Sequence, residues 1–427
     1  MQIRVIENPP KHEWPKLLER PVMNLADIFS KVQPVMEAVR MGGDAAVLEY
    51  TARYDGVVLS ALAVSPEEQA AAQQQLSDAL KAAIQQAAAN IRSFHEKQLS
   101  APEVIETMPG VRCWRKSVGI EQVGIYIPGG TAPLFSTVLM LAIPAVLAGC
   151  KNIVLVSPPQ KDGSLHPAVV YAAQVAGVTQ LFKAGGAQAI AALTYGTESI
   201  PAVSKIFGPG NQYVTAAKML AQQSGVAIDM PAGPSEVCVM ADVSANPAYV
   251  AADLLSQAEH GSDSQVLLVA TPDFDMAGLQ RELAMQLAIL PRKEMAVAAL
   301  ANSKAIVLPD VATMLELVNA YAAEHLIISM IDAAAVADKV LNAGSVFIGH
   351  LSPESVGDYA SGTNHTLPTN GFARMYSGVS VDSFVKKITY QQLTAAGLQA
   401  IAPTVIEMAE AEGLRAHANA VRIRLVK

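Results

Sequence analysis

Short apolar runs alternate with helical segments through most of this chain, and that rhythm constrains the fold more than any other feature. Residues 123–127, 152–156, 180–182 and 204–207 read as strands. They are followed in turn by Gly129-Gly130 and a helix after Pro133, by Ser157-Pro158-Pro159 and a helix, by Gly185-Gly186 and a helix, and by Gly208-Pro209-Gly210-Asn211 and a helix. A second series starts at Ser235, with runs at 237–240, 265–270, 304–307, 325–329 and 345–348, each leading into helical sequence. Strand, turn and helix recurring at roughly 25- to 30-residue intervals is the pattern of a parallel, doubly wound sheet. The chain therefore reads as α/β, with two Rossmann-like doubly wound parallel-sheet domains, an N-terminal arm and a small helical C-terminal tail domain.

The rest of the chain divides around these two series. Residues 1–21 are polar and Pro-rich and read as an arm. A helix is expected over about 25–50, and a second opens at the capping box Ser65-Pro66-Glu67-Glu68 and runs to about residue 97. Residues 22–122 are grouped with 235–380 as a first α/β domain, 123–234 form a second, and 381–427 form the tail, with a short strand and a helix from about residue 391 to 412.

Composition excludes several classes. With 51% hydrophobic and only 16% charged residues, 427 residues bury more than one core rather than stay disordered. A net charge of −8 without any basic run argues against nucleic acid as a partner. The longest apolar run, 138–150, is interrupted by Pro144 and is shorter than the roughly 18 residues of a membrane span. Three cysteines without CxxC spacing suit a reducing compartment, and no signal-like start precedes them, so a cytoplasmic location is expected.

Chemistry concentrates in the second series. Gln257 and His260 stand three apart at the end of an expected helix, hence on one face. Their lone pairs suit one divalent metal, although a His followed by Gly261 is also an ordinary helix C-terminus. Glu324-His325 is an acid/imidazole pair before an apolar strand. Asp358 and His365 bracket a loop of small polar residues, the kind of segment that carries function. The three Gly-rich turns offer helix N-termini to a phosphate, but GxGxxG is absent, so the usual dinucleotide fingerprint cannot be invoked.

Longer motifs join these elements. Gly124-Ile125-Tyr126-Ile127-Pro128-Gly129-Gly130, Gly185-Gly186-Ala187-Gln188-Ala189-Ile190, Phe207-Gly208-Pro209-Gly210-Asn211, Asp229-Met230-Pro231-Ala232-Gly233-Pro234-Ser235-Glu236, Gln257-Ala258-Glu259-His260 and Gly362-Thr363-Asn364-His365-Thr366-Leu367-Pro368 resemble the histidinol dehydrogenase family, in the family's order and over almost the whole chain. The resemblance implies that Gln257, His260, Asp358 and His417 ligate one zinc ion per subunit, and that Glu324 and His325 are the acid/base pair. It implies that Ser235, Glu354, His365 and Glu412 contact L-histidinol, together with His325 and the metal ligands. Tyr126, Gln188 and Asn211 would contact NAD. A homodimer is implied, with each tail domain placing Glu412 and His417 in its neighbour's site. Two positions depart from the family pattern: Ala323 and Ser262 stand where prolines are usual, and looser turns are expected there.

The reaction so implied is the four-electron oxidation of L-histidinol to L-histidine through the aldehyde, the last steps of histidine biosynthesis, with two NAD reduced. Hydride departs as the hydroxyl loses a proton, a task suited to His325. Water must add to the aldehyde, a task assigned to Glu324. No cysteine is placed for a thioester route. Three other readings stand beside this one: a related dehydrogenase of another polar alcohol such as sulfopropanediol, a zinc-dependent hydrolase, and a catalytically silent binding protein of the same fold.

Overall fold

Two parallel sheets organise the chain, as the strand–helix rhythm predicts. The computed structural model describes residues 2–20, 25–129, 133–230 and 233–425; Gly130 and the Pro231-Ala232 step lie outside them. One sheet has five parallel strands in the order Gln180–Lys183, Asn152–Ser157, Gln122–Tyr126, Lys205–Phe207, Ala227–Ile228. The other has six, in the order Arg4–Glu7, Lys304–Val307, Gln265–Ala270, Glu236–Ala241, His325–Ser329, Ser345–Ile348, again all parallel.

Alternation across each strand divides its side chains between two cores. Val123 and Ile125 face a core built with Ile143, Val170 and Ile91, whereas Val154, Val156 and Ile206 face one built with Val32, Ile190 and Val214. In the six-stranded sheet Val237 and Val239 pack toward Leu254 and Leu279, and Cys238 and Met240 toward Val318 and Leu326. Strands covered on both faces are apolar beyond their first residue, as Glu236–Ala241 and Gln265–Ala270 illustrate: every residue of both is buried. Among the described residues no helix is long and apolar enough to cross a membrane.

Four expectations need correction. The arm is part of the fold: Arg4–Glu7 pairs with Lys304–Val307 as the edge strand of the six-stranded sheet, and Trp14 and Leu18 are buried in the core beneath it. The helix expected to run from Ser65 to residue 97 is two helices, Pro66–Gln74 and Asp78–Glu96, because Ser77 caps the second by accepting from Leu80 N–H. The helices of residues 25–96 belong with the five-stranded sheet rather than with the domain of 235–380: Val32, Val35 and Val39 pack with Ile190 and Ile206, and Ile84 and Ile91 pack with Ile125 and Val138. Finally, Gln391 lies within a strand, Val385–Leu393, which pairs antiparallel with Val111–Gly119, itself paired with Val104–Met108. The tail helices Ala395–Ala411 and Arg415–Leu425 follow this three-stranded sheet.

Candidate active site

Seven of the predicted residues reach one place because of chain direction. Ser235 precedes the strand Glu236–Ala241, and Glu324 precedes His325, the first residue of the neighbouring strand; His325 lies beside Val237 in the ladder. The helix Pro247–Ala258 returns from the far edge of the sheet, so Gln257 in its last turn and His260 beyond it arrive at the same edge. The cluster therefore sits at the amino ends of these strands. Asp358 and Glu354 come from the short helix Glu354–Tyr359.

Its geometry is tight. The backbone N–H of Glu236 donates to Glu324 Oε2 at 2.9 Å, and Nδ1 of His325 lies 3.3 Å from the carbonyl oxygen of the same Glu236. A carbonyl only accepts, so Nδ1 carries a proton. Nε2 of His325 then points at Asp358 Oδ1, 3.3 Å away. Glu324 Oε2 is 3.7 Å and Glu354 Oε2 4.0 Å from Nδ1. Ser256 donates to Glu354 Oε1 at 2.7 Å. The Gln257 amide is satisfied when its nitrogen donates to Glu354 Oε1 (3.1 Å) and its oxygen accepts from Glu236 N–H (3.2 Å). His365 is fixed at both ring nitrogens, Nδ1 to the carbonyl oxygen of Asp358 (2.7 Å) and Nε2 to the Thr137 hydroxyl (2.9 Å).

Burial and charge shift these groups in opposite directions. Burial pushes the Glu324 and Glu354 carboxyls up, against the pull of His325. For His325 burial favours the neutral ring, yet Glu324, Asp358 and Glu354 together outweigh it and raise its proton affinity. His260 keeps an exposed surface, but desolvation by the surrounding protein lowers it, and Asp358 pulls the other way. Asp358 is desolvated too, but its contact with His325 and the other imidazoles hold it low.

The carboxyl edge of the five-stranded sheet, the usual place for a ligand, borders a cavity. Tyr126 ends the central strand, Gln188 lies in the first turn of Gly186–Tyr195, and Asn211 caps Gln212–Gln223 by accepting from Tyr213 and Val214 N–H. All three line a cavity of about 1150 Å³, of a size that suits a dinucleotide. Gly208 makes the approach possible: its φ is +122°, and a Cβ there would lie 2.0 Å from the Tyr126 carbonyl oxygen. A second cavity of about 330 Å³ adjoins the first through Pro128 and Asn211, and Ser235, His260, Glu324 and His365 line it.

Glu412 and His417 do not join within one chain. Both are exposed, and neither side chain enters the hydrogen bonds and ion pairs of the cluster. Among the described residues no group of three His, Cys, Asp or Glu side chains is arranged to hold a metal ion. One chain offers one imidazole, one carboxylate and one amide oxygen, a donor set of the kind zinc accepts but one ligand short of a tetrahedron. Two further observations suit a cation. Three carboxylates crowd a single imidazole, and Glu354 Oε2 and His325 Nε2 are buried without a hydrogen-bond partner.

The two departures do not loosen the backbone. The Ala323 and Glu324 carbonyls accept from Gly344 and Ser345 N–H, both at 2.9 Å, and Ser262 lies in a turn closed by Ser264 N–H on Gly261 O at 3.1 Å. The unusual position is Ala322, which caps the preceding helix at φ 55°. A residue with a Cβ costs about 1–2 kcal/mol in that conformation. Sequence reasoning also passed over residues that support the cluster. Thr137 holds His365, and buried His95 lies behind Asn364 and bonds the Ile91 carbonyl. Nothing in the local sequence marks either. Cys238 is fully buried and its thiol is pushed up by burial, so no reactive thiolate stands near the site.

Two parallel sheets that close an acid/imidazole cluster against a nucleotide-sized cavity define an α/β enzyme. The histidinol dehydrogenase family model matches residues 18–425. The chain is 58% identical to the histidinol dehydrogenase of Bacteroides thetaiotaomicron over 99% of each chain. It is 55% identical to the chloroplastic histidinol dehydrogenase of Arabidopsis thaliana, with 96% of this chain and 88% of that one covered. The crystal structure of histidinol dehydrogenase from Elizabethkingia anophelis matches with a TM-score of 0.97 at 54% identity, covering 99% of this chain and 98% of that one. The chain belongs to the histidinol dehydrogenase family and is an oxidoreductase.

Proposed function

We propose that the protein oxidises L-histidinol to L-histidine through L-histidinaldehyde, reducing two NAD, with one zinc ion in each site and a homodimer that shares its sites. The observation that carries this reading is the convergence of Ser235, Gln257, Glu324, His325, Glu354 and Asp358 at one sheet edge, beside the cavity lined by Tyr126, Gln188 and Asn211. Gln257, His260 and Asp358 would hold the zinc, with the partner subunit's His417 completing the tetrahedron. Bound zinc would supply Lewis-acid polarisation and hold the substrate's nitrogens.

The chain's own groups account for the proton transfers. His325, oriented by Glu236 O at Nδ1, handles the hydroxyl proton at Nε2 as hydride leaves the carbinol carbon. Burial makes an ionised Glu324 a stronger base than a surface carboxylate, which suits it to take a proton from the water that adds to the aldehyde. Glu354 Oε2, buried without a donor, is a natural acceptor for the amine or imidazole N–H of histidinol.

The deciding experiment counts NADH formed per L-histidinol consumed. Two are expected, together with about one zinc per chain and loss of turnover on chelation. No NADH from histidinol would end this reading. A second measurement tests the shared site: dimers that mix an inactive His417→Ala chain with an inactive His325→Ala chain contain one site with neither change, so activity returns. If it does not, each chain completes its own site.

A further inference from the structure

We infer that Arg20, on the N-terminal arm, is a positioning residue for the acid/base pair and acts through Glu236. This rests on the function proposed above but concerns a residue that it does not use. Glu236 is the only residue whose backbone touches both members of the pair by described hydrogen bonds: its N–H holds Glu324 Oε2 and its carbonyl orients His325 Nδ1. A shift of that peptide therefore moves the base and the water-activating carboxylate together.

The Glu236 side chain is clamped from the other side. Arg20 meets it with two nitrogens, Nε on Oε2 and Nη2 on Oε1, the latter at 3.1 Å. The pair is desolvated, with side-chain exposures of 13% for Arg20 and 2% for Glu236. Arg20 Nη2 also donates to the Tyr321 carbonyl at 2.7 Å, and its guanidinium carbon lies 4.0 Å from the Tyr321 ring centroid. The Tyr321 hydroxyl donates to Gln265 Oε1 at 2.8 Å and reaches Glu236 Oε2 at 3.2 Å. Gln265 in turn donates to the Glu19 carbonyl. The clamp thus binds the first residues of two adjacent strands, Glu236 and Gln265, to the residue that ends the helix before Glu324. It is delivered rigidly, because the arm is anchored by its edge strand and by buried Trp14 and Leu18.

A buried ion pair alone is weak evidence of anything but local structure. What sets this one apart is that the carboxylate it fixes belongs to the residue carrying both catalytic contacts. Arg, unlike Lys, fixes a carboxylate in two directions at once. Displacing reacting groups by about 1 Å costs on the order of 10²-fold in rate.

The test is steady-state kinetics on Arg20→Met, Arg20→Lys and Tyr321→Phe beside the wild type, at a temperature where unfolding curves show each variant folded. For Arg20→Met, kcat is expected to fall about 10²-fold, with KM for histidinol and NAD within about twofold, since substrate contacts are untouched. Arg20→Lys should keep most of the thermal stability yet recover kcat only in part, because one ammonium cannot reproduce the two-pronged contact. If Arg20→Met does not fold, Arg20→Lys and Tyr321→Phe decide. A folded Arg20 variant with kcat within about twofold of wild type, or a loss carried by KM alone, overturns the inference. A wild-type protein inactive on histidinol overturns the proposed function instead, so the two failures are distinguishable.

Discussion

Lys218→Met should destabilise the protein by about 3–5 kcal/mol, the cost of leaving a buried charge without its partner. Lys218 and Asp229 form an ion pair with side-chain exposures of 4% and 2%. Lys218 Nζ donates to the Gly208 carbonyl at 2.9 Å, and Asp229 accepts from Gly208 N–H at 2.8 Å and from Met230 N–H at 2.7 Å. The pair therefore stitches the Gly208-Pro209-Gly210-Asn211 turn to the strand end at Ile228. Met fills a similar volume but leaves the Asp229 carboxylate facing backbone donors, with only the more distant charge of Lys205 to oppose it. Urea unfolding reads the loss directly, and the double variant Lys218→Met/Asp229→Asn should lose less than the two single losses added. The KM for NAD should rise as well, because Asn211 is carried on that turn. A change in unfolding free energy below about 1 kcal/mol would mean that the carboxylate finds water and that the pair is dispensable.

The legible parts of this fold are those whose cause is local. The strand–turn–helix rhythm places the strands of both sheets other than Arg4–Glu7 and Ala227–Ile228, because it needs only neighbouring residues. The Ser65 capping box is realised in full, with Glu68 N–H on the Ser65 hydroxyl at 3.2 Å and Ser65 N–H on Glu68 Oε2 at 2.7 Å. Gln257 and His260 follow from helical spacing. The edge strand Arg4–Glu7 is illegible for the opposite reason: four residues stabilised by pairing with a strand 300 positions away carry no local signature. Arg20 is hidden likewise, since its partner is 216 residues distant.

The edge that carries the site divides along the same line. Carboxyl ends are the expected ligand side of a parallel sheet, and the Gly-rich turns beside the larger cavity lie there. The acid/base cluster occupies the amino edge of the other sheet, a place that only the juxtaposition of the two sheets makes useful. Residue types and motif resemblance point to Glu324, His325 and Asp358, but what sets their relative position is the peptide of Glu236, whose role depends on backbone geometry and not on a side chain that a sequence displays.

Glu324→Gln should separate the two oxidations. Gln has nearly the same shape and can still accept from Glu236 N–H, so the backbone contact at 2.9 Å survives. What it loses is the ability to take a proton. The first hydride transfer, assigned to His325 in the proposed mechanism, should continue, giving one NADH per site. The second requires water to add to the aldehyde, and without a general base it should slow by about 10²–10⁴-fold. Stopped-flow absorbance would then record a burst of one NADH per site followed by a slow phase, and added histidinaldehyde would be oxidised at the slow rate. Because burial raises the Glu324 carboxyl, the wild-type second oxidation should climb with pH as that group ionises, and the variant should lack this rise. Two prompt equivalents of NADH from the variant would remove Glu324 from the water step and leave His325 to perform both proton transfers.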